Sequence, residues 1–264
     1  MVRIRAPGRM RTGECSIALC SWRRTVVGAI VFAIGSCTQG LPGHEKETRG
    51  DLALILVGLT PNLSGLVARY TFTGSANDSV SGRNLSVGAG APTLTADRFG
   101  TPASAYSFNG ASYFTASDSV PTALPSGSNP RTVCIWYNLT TLSGVTLTNY
   151  GTGVAGQAFG LGTNSLFSSV FTYTYDLNIF LSPRTNVWTH YCGVYSGSDI
   201  KACINGALVA ETTATSSGIN TVLSSLAVGK SNFQADFLTG SLDDLRIYNR
   251  ALSAIDVAAI YSGW

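Results

Sequence analysis

Past residue 64 the chain contains one glutamate, Glu211, and one histidine, His190, and that scarcity limits the chemistry it can perform. Hydrolysis of a glycosidic bond by the usual route needs two carboxyl groups about 5–10 Å apart. A second glutamate is lacking. Asp243 and Asp244 are the only close aspartate pair, and they stand in an alternating stretch where neighbouring side chains point to opposite faces of a strand. A Ser-His-Asp arrangement would have to use His190, the one histidine past residue 44. No Cys-x-x-Cys pair, glycine-rich phosphate loop or histidine cluster occurs. These features point away from an enzyme.

Three cysteines follow residue 64: Cys134, Cys192 and Cys203. The runs Trp188 to Tyr195 and Lys201 to Leu208 flank Ser196-Gly-Ser-Asp199, a turn sequence, and read as a hairpin. Centred between Gly197 and Ser198, it pairs residues whose numbers sum to 395, which sets Cys192 opposite Cys203. Such a pair is near enough for a disulfide if it is of the non-hydrogen-bonded kind, so Cys192–Cys203 is the expected bridge in an exported chain. Cys134 is then left over, and two free buried thiols side by side are the alternative.

The elements that must position these groups are short. Runs with strand character recur every ten to fifteen residues: Ala68 to Phe72, Ala105 to Phe108, Tyr113 to Ala116, Thr132 to Asn138, Val145 to Tyr150, Phe159 to Leu161, Ser169 to Tyr175 and Ser225 to Val228. Asn-Gly, Ser-Gly and proline turns separate them. With 29 Gly and only 12% charged residues, the pattern predicts an all-β sandwich or barrel. Leu245 and Ile247 alternate with polar neighbours in one last strand. After it, Ser253 and Asp256 form a capping box with Leu252 and Val257 at the staple positions, which predicts a C-terminal helix of about two turns ending before Gly263.

The net charge of +3 sits in the leader: residues 1–64 hold eight Lys+Arg against four Asp+Glu, leaving nine against ten beyond. The globular part therefore has no basic patch for nucleic acid. Arg23-Arg24 precede an uncharged run, Thr25 to Ser36, that is too short to span a bilayer and right for a signal-peptide core. Ile34-Gly35-Ser36-Cys37 resembles the lipobox of bacterial lipoproteins, which implies a lipid on Cys37, removal of residues 1–36 and a membrane link through that anchor only. An ordinary secretory signal and an uncleaved anchor are the alternatives. Residues 37–64 read as a polar tether with an apolar lead-in, Leu52 to Leu59, and residues 65–264 as the globular domain.

Five pieces in order carry a wider resemblance. They are Tyr70-Thr-Phe-Thr-Gly74 with Asn77-Asp78 and Ser81-Gly82; Ala105 to Tyr113; Thr132 to Trp136; Trp188-Thr-His190 with Ile204-Asn-Gly206; and the closing Gly240-x-Leu-Asp-Asp-x-Arg-Ile-Tyr-Asn-Arg-Ala-Leu-Ser253. Together they resemble the laminin-G-like, concanavalin A-like domains over most of residues 66–262. The resemblance implies a two-sheet antiparallel jelly-roll β-sandwich with one short C-terminal helix.

The fold alone decides no function, because it serves carbohydrate binding, protein adhesion and glycoside hydrolysis alike. Many members hold one Ca²⁺ at the sandwich edge, and by position Asp78 and Asp243 resemble its ligands. The alternative is that Asp78 caps its turn and Asp243 bonds backbone amides of the same loop. Tyr173 and Tyr175 are candidates for stacking on a sugar, as are Tyr150 and Phe233 in expected loops, although Phe171, Tyr173 and Tyr175 share the parity of a buried strand face. The expected function is non-catalytic binding or adhesion at the cell surface or outside the cell, with a glycan or an extracellular protein as ligand. A carbohydrate-binding lectin-like module is the alternative, and a glycoside hydrolase the third reading.

Overall fold

The computed structural model describes residues 63–116, 124–213 and 218–263. The signal segment, nearly all of the tether and Cys37 lie outside the described residues. Among the described residues the strands form two antiparallel sheets, which resolves the sandwich-or-barrel choice left by the turn spacing in favour of the jelly-roll sandwich that the resemblance implies. The first sheet runs β13 (Ala207–Thr213), β12 (Asp199–Ile204), β11 (Thr189–Tyr195), β6 (Arg131–Leu139), β15 (Thr239–Tyr248), β4 (Ala105–Asn109) and β3 (Thr93–Thr95), with β1 (Leu66–Tyr70) also paired to β15. The second runs β10 (Leu177–Ile179), β9 (Ser168–Phe171), β8 (Ala158–Thr163), β7 (Val145–Gly151), β14 (Leu226–Val228), β5 (Tyr113–Ala116) and β2 (Ser86–Ala89).

Alternation decides which side chains fill the space between the sheets. Val133, Ile135 and Tyr137 of β6 and Tyr191 and Tyr195 of β11 meet Leu147, Phe159, Leu161 and Val170 of the second sheet in one buried cluster. Gly193 of β11 is small for a packing reason: a Cβ there would lie 2.7 Å from Leu161 Cδ2 and 2.9 Å from Val170 Cγ1. The residues between these positions point outward. On the first sheet they are Cys134, Trp136, His190 and Cys192.

The hairpin of β11 and β12 has the predicted register, with Tyr195 opposite Ile200 and Cys192 opposite Cys203. The bridge, however, joins Cys134 to Cys192, and Cys203 is a buried free thiol. Cys192 stands in the middle strand of three and faces Cys134 on β6 as well as Cys203 on β12. A residue in an antiparallel sheet exchanges both its backbone hydrogen bonds with one neighbour and none with the other, and the second pair is the closer. At 4.1 Å between Cα atoms, Cys134 and Cys192 are that closer pair. The run Lys201 to Leu208 also proves to be two strands, since Asn205 and Gly206 take positive φ (50° and 81°) and turn the chain from β12 into β13.

The last strand departs from plain alternation. Its pairing with β6 slips between Asp243 and Arg246, and Asp244 has φ +42°. This bulge inserts an extra residue, so Leu242, Leu245 and Ile247 all reach the core although their parity changes. It also cancels the opposite orientation expected of Asp243 and Asp244: both carboxylates reach Arg98.

Helix α1 (Ala254–Tyr261) closes the domain. Ser253 accepts from the Asp256 amide while the Asp256 carboxylate accepts from the Ser253 amide, the capping box legible in the sequence. Leu252, Val257 and Ile260 pack with Tyr248 over the three cysteines. Among the described residues no helix is long and apolar enough to cross a membrane.

Candidate functional site

The two outer faces of the sandwich differ. That of the first sheet is closed by α1 and by a network of charges. Asp244, 5% exposed, accepts from Arg246 Nε and Nη2 at 3.0 and 2.6 Å and from Arg69 Nε at 3.1 Å. Burial opposes its ionisation, but the Arg246 guanidinium, Arg69 and Arg98 outweigh that and hold its pKa below the usual value. Asp243 pairs with Arg98, which also lies over the Trp136 ring. Burial pushes the Asp243 carboxyl up to about 6 against the pull of Arg98. His190, 1% exposed, is stacked at a tilt on Trp136 and lies 3.7 Å from Cys192 Sγ. Burial lowers its pKa to about 3, so the ring is neutral, and it sits among packing groups rather than beside a nucleophile.

The pair expected to bind calcium is placed otherwise. Asp78 caps the loop after β1: its Oδ1 accepts the amides of Arg69 and Val80, and its Oδ2 the amides of Ser81 and Arg83 and the Ser81 hydroxyl. Burial raises its pKa, but the Ser81 hydroxyl and these amides together hold it below the usual value. A cation needs oxygen lone pairs free to face it. Both oxygens of Asp78 are turned to donors and Asp243 is neutralised by Arg98, so the two do not fit a shared Ca²⁺. Among the described residues metal-ligating side chains gather only at Cys134, His190 and Cys192, two of which are joined by the disulfide.

The outer face of the second sheet is open and carries a groove. Its floor is β7, β8 and β9, whose outward residues are Thr146, Gly160, Gly162, Ser169 and Phe171. Gly160 faces Phe171 across the ladder, and the ring lies over it: a Cβ on Gly160 would meet Phe171 Cζ at 2.3 Å. Loop residues 172–176 and 231–236 form the walls. Phe233 stands between Phe171 and Tyr173, with ring centroids at 6.1 and 5.1 Å and both pairs near perpendicular.

Around this aromatic trio a cleft of about 270 Å³ is lined by Thr146, Asn164, Ser169, Asp176, Gln234 and Asp236. Asp236 accepts from Thr146 Oγ1 at 2.6 Å and from the Ser231 amide at 3.2 Å. Burial pushes its carboxyl above the usual value despite these donors. Asp176 accepts from the Thr172 amide at 2.8 Å.

The stacking candidates separate. Tyr173 has φ +69° and is 39% exposed, because β9 ends at Phe171 and the chain turns instead of continuing as a strand. It lines the groove. Tyr175 packs against the core beside Gly156 and Gly218, and Tyr150 is buried. Sequence reasoning missed Thr146, Asp176 and Asp236, which lie far apart in the chain. The one local signal was Gly160 and Gly162, two glycines on the outward face of a short strand, which mark where another ring comes close.

The chain matches the concanavalin A-like lectin/glucanases superfamily over residues 108–258. It belongs to that superfamily. Its sandwich is similar to domain 4 of AbnA, a GH43 extracellular arabinanase from Geobacillus stearothermophilus solved with arabinotriose (24% identity, TM-score 0.60, covering 74% of this chain and 98% of that one). The fold is also shared with the binding domain of botulinum neurotoxin DC, solved in complex with rat synaptotagmin II (14% identity, TM-score 0.59, 76% of this chain and 52% of that one). A second structure of that domain, in complex with SialylT, has 12% identity and a TM-score of 0.57, with 75% and 51% covered. The chain thus spans about half the length of the toxin domains. Among curated proteins none matches it in sequence. For this concanavalin A-like chain, identities below a quarter establish the fold, and the groove must speak for the ligand.

Proposed function

We infer that this chain is a non-catalytic, extracellular glycan-binding module whose ligand lies in the groove on the second sheet. The observation that carries the reading is the trio Phe171, Phe233 and Tyr173, set in a face of glycine, serine and threonine with amides and carboxylates at its rim. Sugar rings present apolar faces to aromatic rings and hydroxyls to polar groups, and such a site offers both. A standard protein interface covers about 800 Å² on each partner, a larger surface than this cleft supplies. The arabinotriose in the arabinanase domain lends support through the shared fold.

The test is isothermal titration of the full chain with neutral oligosaccharides, beginning with arabinan fragments. Phe233→Ala is expected to weaken binding about tenfold, the equivalent of ~1.4 kcal/mol. Equal affinity in that variant sinks the site.

One observation favours a second reading, glycan hydrolysis. Asp176 and Asp236 line the same cleft, and Asp236 is pushed toward the protonated state that an acid catalyst needs. Both also hold their own loops, which is why binding is preferred. Release of reducing ends that stops in Asp236→Asn would reverse the preference. Export through the leader and a lipid on Cys37 belong to the same proposal, and loss of palmitate labelling in Cys37→Ala tests the anchor.

A further inference from the structure

We propose that the ligand is a neutral, linear polysaccharide held along its length across two adjoining subsites, one on each side of Phe233. This rests on the glycan-binding reading of the groove and adds the charge and the length of what binds.

A second cleft, bounded by Gly151, Gly153, Ser224, Ser225 and Asn232, adjoins the first, and Phe233 borders both. Phe233 is therefore a ridge between two depressions rather than the end wall of one. The ridge is fixed at its height. Gly153 admits it, since a Cβ there would lie 2.9 Å from Phe233 Cβ. On the other side the Asn232 amide donates to Asn149 Oδ1 at 3.3 Å, and Asn232 Nδ2 donates to the Ser225 carbonyl at 2.5 Å. Asn149 is 1% exposed, so the side-chain oxygen that accepts from the Asn232 amide is itself held in place by the surrounding sheet. A ridge held in place before binding suits an extended chain that crosses it, because no loop must be ordered on association.

Charge narrows the class. Neither cleft is lined by lysine or arginine; Asp176 and Asp236 are the charged groups of the first, and the second has none. In the first cleft a uronate, sialyl or sulfate group would meet Asp176 and Asp236 with no lysine or arginine in the lining to pair it, and like charges facing one another select against a ligand. Lys230, whose charge Asp236 feels, stands over the Tyr113 and Phe237 rings outside that lining. Serine, threonine, asparagine and glutamine at the rim offer the hydrogen bonds that sugar hydroxyls take.

The test is titration of the full chain with neutral oligosaccharides of two to six residues and with an acidic polymer, polygalacturonate. Affinity is expected to rise at least tenfold from the disaccharide to the longest oligomer, and polygalacturonate to show no binding. Ser225→Trp, which fills the second cleft from an exposed position, is expected to abolish the gain in affinity with length. Neutral glycans bound with no dependence on length, or polygalacturonate bound as well as they are, overturns the two-subsite inference while the groove reading stands. Binding of no glycan at all removes both.

Discussion

Asp78 gathers four backbone amides and a hydroxyl onto one carboxylate, so replacing it with Ala strands several buried donors at once. The expected cost is about 3 kcal/mol, read by denaturant unfolding. Its folded pKa lies below the unfolded value, so the stabilisation is complete above pH ~4 and is lost as pH falls through the folded value. The gap between wild type and Asp78→Ala should therefore close in acid, and millimolar calcium should leave the wild-type melting temperature unchanged. The cysteines give a second residue-scale test. In Cys134→Ser, Cys192 loses its closer neighbour but still faces Cys203, at a spacing of ~5.5 Å that a disulfide can span. Peptide mapping without reduction is expected to find Cys192 linked to Cys203; two free thiols would contradict the register account.

At the scale of elements, what the sequence made legible was whatever depends on neighbours along the chain. The hairpin register from Tyr191 to Ile204, the Ser253–Asp256 capping box and the inward alternation of Leu245 and Ile247 follow from local pattern and turn chemistry. Features that depend on a third strand were hidden. The choice of Cys134 over Cys203 turns on which side of β11 carries the hydrogen bonds, and no spacing in the sequence records that. The bulge at Asp243–Arg246 likewise shows only as a change of parity between Leu242 and Leu245. In the groove, Thr146, Phe171 and Phe233 come from three separate parts of the chain, and Gly160 is the element-level mark of their meeting. Gly160→Ala places a Cβ 2.3 Å from Phe171 Cζ and 2.6 Å from Asn149 Cβ. It is expected to cost about 2 kcal/mol in stability and to weaken glycan binding by tilting the Phe171 ring, both measurable on one sample.

The molecule as a whole assigns its two outer faces different work. The face bearing His190 and Asp243 is covered by α1 and crossed by arginine–aspartate pairs, so the residues that look most catalytic in the sequence serve packing. The opposite face keeps its aromatic and polar groups in an open groove. The most direct test of that division is to compare wild type with Phe233→Ala for retention on an immobilised neutral polysaccharide, with melting temperatures measured in parallel. The account predicts that wild type is retained and that Phe233→Ala elutes early while remaining folded, its cooperative melting shifted by no more than a few degrees for the lost ring contacts. Equal retention of the two proteins, or passage of wild type unretained through every neutral polysaccharide tried, would contradict it.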